Sequence, residues 1–344
     1  MSLREQLEAM ARQLGFARLG VAAVTPLGRD AEALRDWIAR GRHASMRWMA
    51  DTLDVRLDPA DPALLAGATR VVVLATPYAR ADGPSGPPPS VVARYARGRD
   101  YHNVVGKRTR KLAALLRDAG HRARAGVDSL PVLERAWAAR AGIGFVGKNA
   151  CLIVPGLGSH VFLSVVVTDA PLPTDAPMPE RCGECRLCLD ACPTGAFPAP
   201  RTVDSTRCVS YLTIEHEGPI DEALREGIGA HLFGCDVCQD VCPFCKTSPP
   251  PPERTAPFAP HPRLDIAVSA LLEMTEEEHR EWCVGSPLRR AGRGGLARNA
   301  AIVLGNRGAR VHLPVLSRAA RAHDDDAVRE AAQWAIARIE ARDP

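Results

Sequence analysis

Long apolar runs are missing from this 344-residue chain. The longest, Val71–Thr76 and Val161–Thr168, fall far short of the ~20 residues that span a bilayer, which excludes a transmembrane helix. No apolar stretch follows the opening Met1-Ser2-Leu3-Arg4-Glu5, so no export signal is expected, and the expected location is the cytoplasm. An excess of one charge is missing too. Lys and Arg total 44 against 40 Asp and Glu, a net +4, so the overall balance announces no nucleic-acid partner and leaves only local patches to do so. A P-loop is also lacking. Gly142-Ile143-Gly144-Phe145-Val146-Gly147 matches a dinucleotide fingerprint in letters but not in context. It follows an expected helix, Leu133–Arg140, and leads to an expected strand, Cys151–Val154, the reverse of the required order. It reads instead as a glycine-rich loop that lets backbone approach a bulky ligand.

What is present is an ordinary globular composition, 46% hydrophobic and 24% charged. Wholesale disorder is excluded, and the length suits two or three domains. Apolar spacing predicts helices over 2–15, Ala31–Arg40, Lys107–Ala119 and Ala136–Gly142. Strands are expected at 17–24, Val71–Ala75, Gly126–Val127, Cys151–Val154 and Val161–Thr168. This alternation suggests an α/β sandwich up to about residue 170. Prolines then mark a loop at Pro84–Pro89 and two breaks, Pro171–Pro179 and Pro249–Pro262. After the second break the chain reads as helices Leu296–Gly305, Val311–Ala322 and Ala327–Ile339. Arg-Asn-Ala-Ala at 298–301 is echoed by Arg-Glu-Ala-Ala at 329–332, a HEAT-like spacing.

Cysteine is the informative residue. Of 11, eight lie between Cys182 and Cys242. An odd total without an export signal argues against a disulfide framework. Cys182-x2-Cys185-x2-Cys188-x3-Cys192-Pro193 is the ferredoxin run for a 4Fe–4S cluster, whose fourth cysteine serves the other cluster of a pair. A second run, Cys208…Cys235-x2-Cys238-x3-Cys242-Pro243, ends the same way after an insertion. Crossed ligation gives Cys182, Cys185, Cys188 and Cys242 to one cluster. It gives Cys192, Cys208, Cys235 and Cys238 to the other. A pair of structural zinc sites is the competing reading, since Cys-x2-Cys also suits zinc. Cys151, Cys245 and Cys283 are left over. Two clusters carry single electrons and require an acceptor.

Asp128-Ser129-Leu130-Pro131-Val132-Leu133-Glu134-Arg135 lies between a strand and a helix, where loops carry chemistry. On residue type alone Asp128 is an N-cap for a helix opened by Pro131. Glu134 and Arg135 read as a solvated or paired helix face.

This loop, together with Arg94–His102, Ala141–Asn149, the cysteine pattern with Arg207–Glu215, Gly285–Arg290 and Arg298–Ala301, resembles the epoxyqueuosine reductases. The resemblance runs in unbroken order over about residues 1–310. It implies a nitroreductase-like cobalamin domain (1–170), a ferredoxin-like domain with two 4Fe–4S clusters (171–250) and a HEAT-like helical domain for tRNA (263–344), an α+β multi-domain chain. It implies cob(II)alamin as the electron acceptor, and as the reaction the reduction of the epoxide of epoxyqueuosine to queuosine at a tRNA wobble position. A small-molecule cobalamin reductase of the reductive-dehalogenase type is the alternative. Asp128 falls at the family's proton donor, and a carboxylic acid beside an apolar corrin has its pKa raised. Matching segments place Arg56, Asp128, Arg135, Lys148, Asn149, Ser159 and Ser210 at the corrin. His102 as an axial cobalt ligand is the less favoured reading, since a lone His is more often structural.

Two stretches concentrate positive charge. Residues 94–124 hold ten Lys or Arg against two acids, and 280–310 hold seven Arg against one. Phosphate contacts dominate RNA affinity, so Arg108, Lys111, Arg290, Arg293 and Arg298 are the expected tRNA contacts. An unidentified electron donor, no membrane and a monomeric chain complete the expectation.

Overall fold

The computed structural model describes residues 1–78, 86, 89–246 and 253–342. Most of the Pro84–Pro89 loop and the start of the Pro249–Pro262 break lie outside them.

The sequence Arg70–Pro77 alternates strictly in what it buries. Val71, Val73 and Ala75 face one layer, and Val72 and Leu74 face the other, so the strand is covered on both sides. It is central in a four-stranded sheet of order Arg18–Ala23, Arg70–Pro77, Val161–Thr168, Ala123–Gly126. Every pairing in that sheet is antiparallel. The strand–helix alternation of the sequence had suggested an α/β layering. The long connections instead return each strand alongside its neighbour in the opposite sense, and helices still cover both faces.

One face is covered by Leu3–Leu14 and Tyr101–Asp118, through Leu7, Ala11, Val105, Leu112 and Leu116. The first of these helices opens on a capping box, Ser2 with Glu5, and stops at Gly15 with φ +89°. The second is capped by the Asp100 side chain on the His102 N–H. The other face is covered by Arg29–Ala39 and Glu134–Arg140, with Trp137 fully buried between them and the sheet.

The glycine-rich loop is corrected by its contacts. A Cβ on Gly142 would stand 2.5 Å from the Ala176 carbonyl oxygen, and one on Gly144 would stand 2.2 Å from that of Ile153. These glycines admit the chain's own backbone, not a ligand.

A further core joins the cysteine region to the C-terminal helices Gly292–Arg307, Leu313–Ala322 and Asp326–Arg342. It runs from Val92 through Leu212 and Phe233 to Leu271, Leu304, Leu316 and Ile339. The short strand His231–Phe233 pairs in parallel with Val91–Val92 and ties this body to the sheet domain. Gly292–Arg307 is buried all round over 296–305, as befits a central helix.

Arg298 on that helix is 2% exposed. Its guanidinium donates to the carbonyls of Leu212, His216 and Gly218 and to Asn299 Oδ1. The expected RNA contact is thus a buried tie between helix and cysteine module, because charge in a sequence does not reveal burial. Arg298→Ala strands three carbonyls. It is expected to lower the unfolding free energy by about 3 kcal/mol or more, while the folded fraction keeps its RNA affinity. Chemical denaturation and RNA titration of one sample check both.

Candidate functional site

The Asp128 loop leaves Ala123–Gly126 and enters Glu134–Arg140. Asp128 holds φ +54°, a left-handed backbone that Asp tolerates better than most residues. The helix takes Leu133 as N-cap with no side-chain cap. The Asp128 carboxylate is therefore not spent on capping, and that reading is set aside.

The carboxylate is 65% exposed, so the protein's own atoms do not supply the apolar surround expected for it. Tyr101 Oη donates to its Oδ2 at 2.5 Å, and His102 Nε2 stands 3.9 Å from the same oxygen. His102 Nδ1 lies 2.8 Å from Asp100 Oδ1, which fixes the imidazole edge. The Tyr101 ring stacks on Phe162, with centroids 4.4 Å apart and planes 10° from parallel. Tyr101 and His102 are thus firmly placed partners of Asp128. The sequence reading missed Tyr101 and gave His102 no firm role.

Glu134 was missed more completely. Its carboxylate accepts the Asp128 N–H at 2.9 Å. Burial, and then the neighbouring Asp128 charge, push its carboxyl up to about 8. Its carboxyl is thus raised toward neutrality, which a solvated helix-face acid would not show. Arg56 completes the group. Burial lowers its guanidinium, and the Asp128 and Glu134 charges oppose that. Its Nε donates to Thr52 Oγ1 at 2.8 Å.

Of the remaining expected corrin contacts, Lys148, Asn149 and Ser159 bond across the seam between the sheet domain and the cysteine module. Arg135 is exposed and donates to the Ala150 carbonyl at 2.6 Å. Lys148 Nζ reaches the Gly183 carbonyl at 2.6 Å. Ser210 is half-buried on the helix Val209–Ile214, which starts at Cys208. Asn149 and Ser159 are buried, and protein groups already hold them. Asn149 donates to the Cys238 carbonyl and accepts from the Cys151 N–H. Ser159 Oγ lies 3.2 Å from Cys245 Sγ and accepts from Gln239. These two fasten the seam and do not face outward as ligand contacts. Arg56, Arg135 and Lys148 are cationic donors, with Arg56 near Asp128 and Arg135 near Cys151. A corrin bears peripheral amides and a phosphate-bearing tail, which take such donors, so the residues present fit the group.

The cysteines gather in two groups. Cys182 packs with Cys242 and Cys245 among Phe145, Ile153, Met178 and Phe244. Cys188 lies within electrostatic reach of Cys182 and Cys185. In the second group Cys235 lies within reach of Cys208 and Cys192, and Cys238 within reach of Cys235 and Cys208. Each run's last cysteine therefore stands with the other run. Burial pushes the Cys235 thiol up to about 12 and also raises Cys208, so binding iron there displaces protons. Two of the spare thiols are neighbours of the group, since Cys151 hydrogen-bonds Cys238 and Cys245 hydrogen-bonds Cys242. Among the described residues no three His, Cys, Asp or Glu are disposed to hold a single metal ion.

Of the expected RNA residues, Lys111 and Arg290 are exposed and Arg108 is half-buried. Arg293 is engaged by Glu276 and Asp324. Among the described residues no helix is long and apolar enough to cross a membrane.

Residues 56–129 match the family model described as "Epoxyqueuosine reductase QueG, DUF1730", and residues 181–245 match a 4Fe-4S double cluster binding domain. The chain is 41% identical over 347 residues to an epoxyqueuosine reductase of Xanthomonas campestris pv. campestris, covering 96% of this chain and 95% of that one. It is similar to the crystal structure of an epoxyqueuosine reductase with a tRNA-Tyr epoxyqueuosine-modified stem loop. There the TM-score is 0.88 at 29% identity, covering 98% of this chain and 90% of that one. It is also similar, with a TM-score of 0.87 at 28% identity and the same coverage, to an epoxyqueuosine reductase from Bacillus subtilis. In that structure an aspartate-bearing catalytic loop is swung out of the active site.

Proposed function

This chain belongs to the epoxyqueuosine reductase family, and on that premise we propose that it removes the epoxide oxygen of epoxyqueuosine at the wobble position of a tRNA anticodon, leaving queuosine. It is an oxidoreductase with a 4Fe–4S binding domain. The observation that carries the reading at residue level is Asp128, exposed and held by Tyr101.

The reaction balances as epoxide plus two electrons and two protons, giving alkene and water. Cys182, Cys185, Cys188 and Cys242 would hold one cluster and Cys192, Cys208, Cys235 and Cys238 the other, and such clusters would carry the electrons singly. Arg56, Arg135 and Lys148 would hold a cobalamin at the seam by its amides and phosphate. Such a group, when bound, would supply low-potential electrons for opening the epoxide. Asp128 delivers a proton to the oxygen as the ring opens, since an alkoxide is a poor leaving group until protonated. Tyr101 and His102 orient that carboxyl, and Glu134 holds the second proton beside it. The C-terminal helices, with their HEAT-like spacing, and the basic stretch on Tyr101–Asp118 offer the surface for RNA. The protein acts as a cytoplasmic monomer.

A pH profile tests Glu134. Its acid is raised well above the usual carboxylate range, so it keeps its proton at neutral pH and loses it as pH rises through about 8. The stability linked to its protonated form is complete below the usual carboxylate range and disappears over the same rise. The expected result is a kcat that declines through about pH 8 and a Glu134→Gln variant without that limb. The same limb in both proteins would remove Glu134 from the proton path.

A further inference from the structure

Trp48 is 39% exposed and, among the described residues, the one aromatic of the large apolar side chains that face solvent. One side of its ring is already taken. The Arg290 guanidinium sits 5.1 Å from the ring centroid. Arg290 is itself clamped by Glu215, with its Nε 3.0 Å from both carboxylate oxygens and Nη2 2.7 Å from Oε2. The guanidinium plane is thus fixed, and the tryptophan is fixed with it.

This pair belongs to the rim of the Asp128 site. Trp48, Thr52 and Arg56 follow at four-residue intervals along 47–57. Thr52 Oγ1 donates to the Trp48 carbonyl, and Arg56 Nε donates to Thr52 Oγ1. Arg56 feels the Asp128 and Glu134 charges, and Arg290 feels that of Asp128. Next to Arg290, Arg289 lies within electrostatic reach of Asp100. An exposed indole braced by an arginine, near the Asp128 loop, is the kind of surface on which unpaired bases stack.

We propose that Trp48, braced by Arg290, is the stacking platform for an unpaired base adjacent to the one being reduced. It thereby selects a looped RNA over a free nucleoside. This rests on the function proposed above. Trp48 is a specificity residue and takes no part in the electron or proton steps. Glu215 is a positioning residue that acts through Arg290.

The test uses the full chain loaded with iron–sulfur and cobalamin. The probes are an anticodon stem loop carrying epoxyqueuosine, the same loop with single abasic sites on either side of it, and the free nucleoside. Trp48→Ala is expected to weaken stem-loop binding about 5- to 150-fold, the range of one base–aromatic stack. It should raise KM with kcat within about twofold and leave the nucleoside unaffected. Trp48→Phe should recover most of the affinity. One abasic loop should bind wild type and Trp48→Ala equally, which identifies the stacked base. Equal binding of the intact loop by both proteins would overturn the proposal. So would an equal loss on every probe, which would mark a structural role. A wild-type protein that neither binds nor reduces the stem loop would instead overturn the proposed function.

Discussion

Asp128→Asn is expected to lower the rate of epoxide reduction by about 10²- to 10⁴-fold, the range of general acid catalysis. Iron content and unfolding midpoint should stay at wild-type levels. The substitution is clean for two reasons. Asparagine tolerates the φ of +54° at this position as well as aspartate does, so no strain is introduced. The carboxylate caps no helix and lies largely in solvent, so its loss removes little stability. Asparagine still accepts from Tyr101 but carries no transferable proton. A rate within threefold of wild type in single-turnover measurements would exclude Asp128 as the proton donor. Tyr101→Phe should give a smaller loss, because it frees the carboxyl to rotate without removing its proton.

The cysteines give the second large effect. Cys192→Ala is expected to abolish turnover and reduce iron from about eight to about four per chain. Cys242→Ala should do the same by losing the other cluster. The crossed arrangement predicts which losses overlap. Cys192→Ala combined with Cys235→Ala removes one cluster, because both serve the same one. Cys192→Ala combined with Cys188→Ala removes both, although these two residues belong to one sequence run. The opposite pattern of iron loss would show that each run holds its own cluster. The packing of Cys182 with Cys242, and the proximity of Cys192 to Cys235, underlie the expectation.

The 4Fe–4S module was readable because ligand spacing is a local property. Three thiols on one tight loop, with Pro193 or Pro243 closing the run, need no tertiary information. The central strand was readable for a similar reason, since Val71–Ala75 is apolar on both faces. Other features depend on what packs against what. The antiparallel sheet is set by long connections that alternation cannot distinguish. Arg298 and Arg290 look alike in a basic stretch, yet one closes buried carbonyls and the other braces an exposed ring. Glu134 resembles any helix-face acid until burial and Asp128 raise its carboxyl. Asp128 was singled out by family resemblance, and residue type alone made it a cap. Tyr101 and Trp48 carried no sequence signal, because a hydrogen bond across 27 residues and a stack across more than 200 exist only in the folded chain.

The most direct test of the central claim is mass spectrometry of an epoxyqueuosine stem loop. The protein would be loaded without oxygen with iron, sulfide and cobalamin and given a chemical reductant. The account predicts that the wobble nucleoside loses the mass of one oxygen atom and co-elutes with queuosine, and that omitting cobalamin abolishes the change. An unchanged nucleoside from protein shown to hold both clusters and cobalt would contradict it.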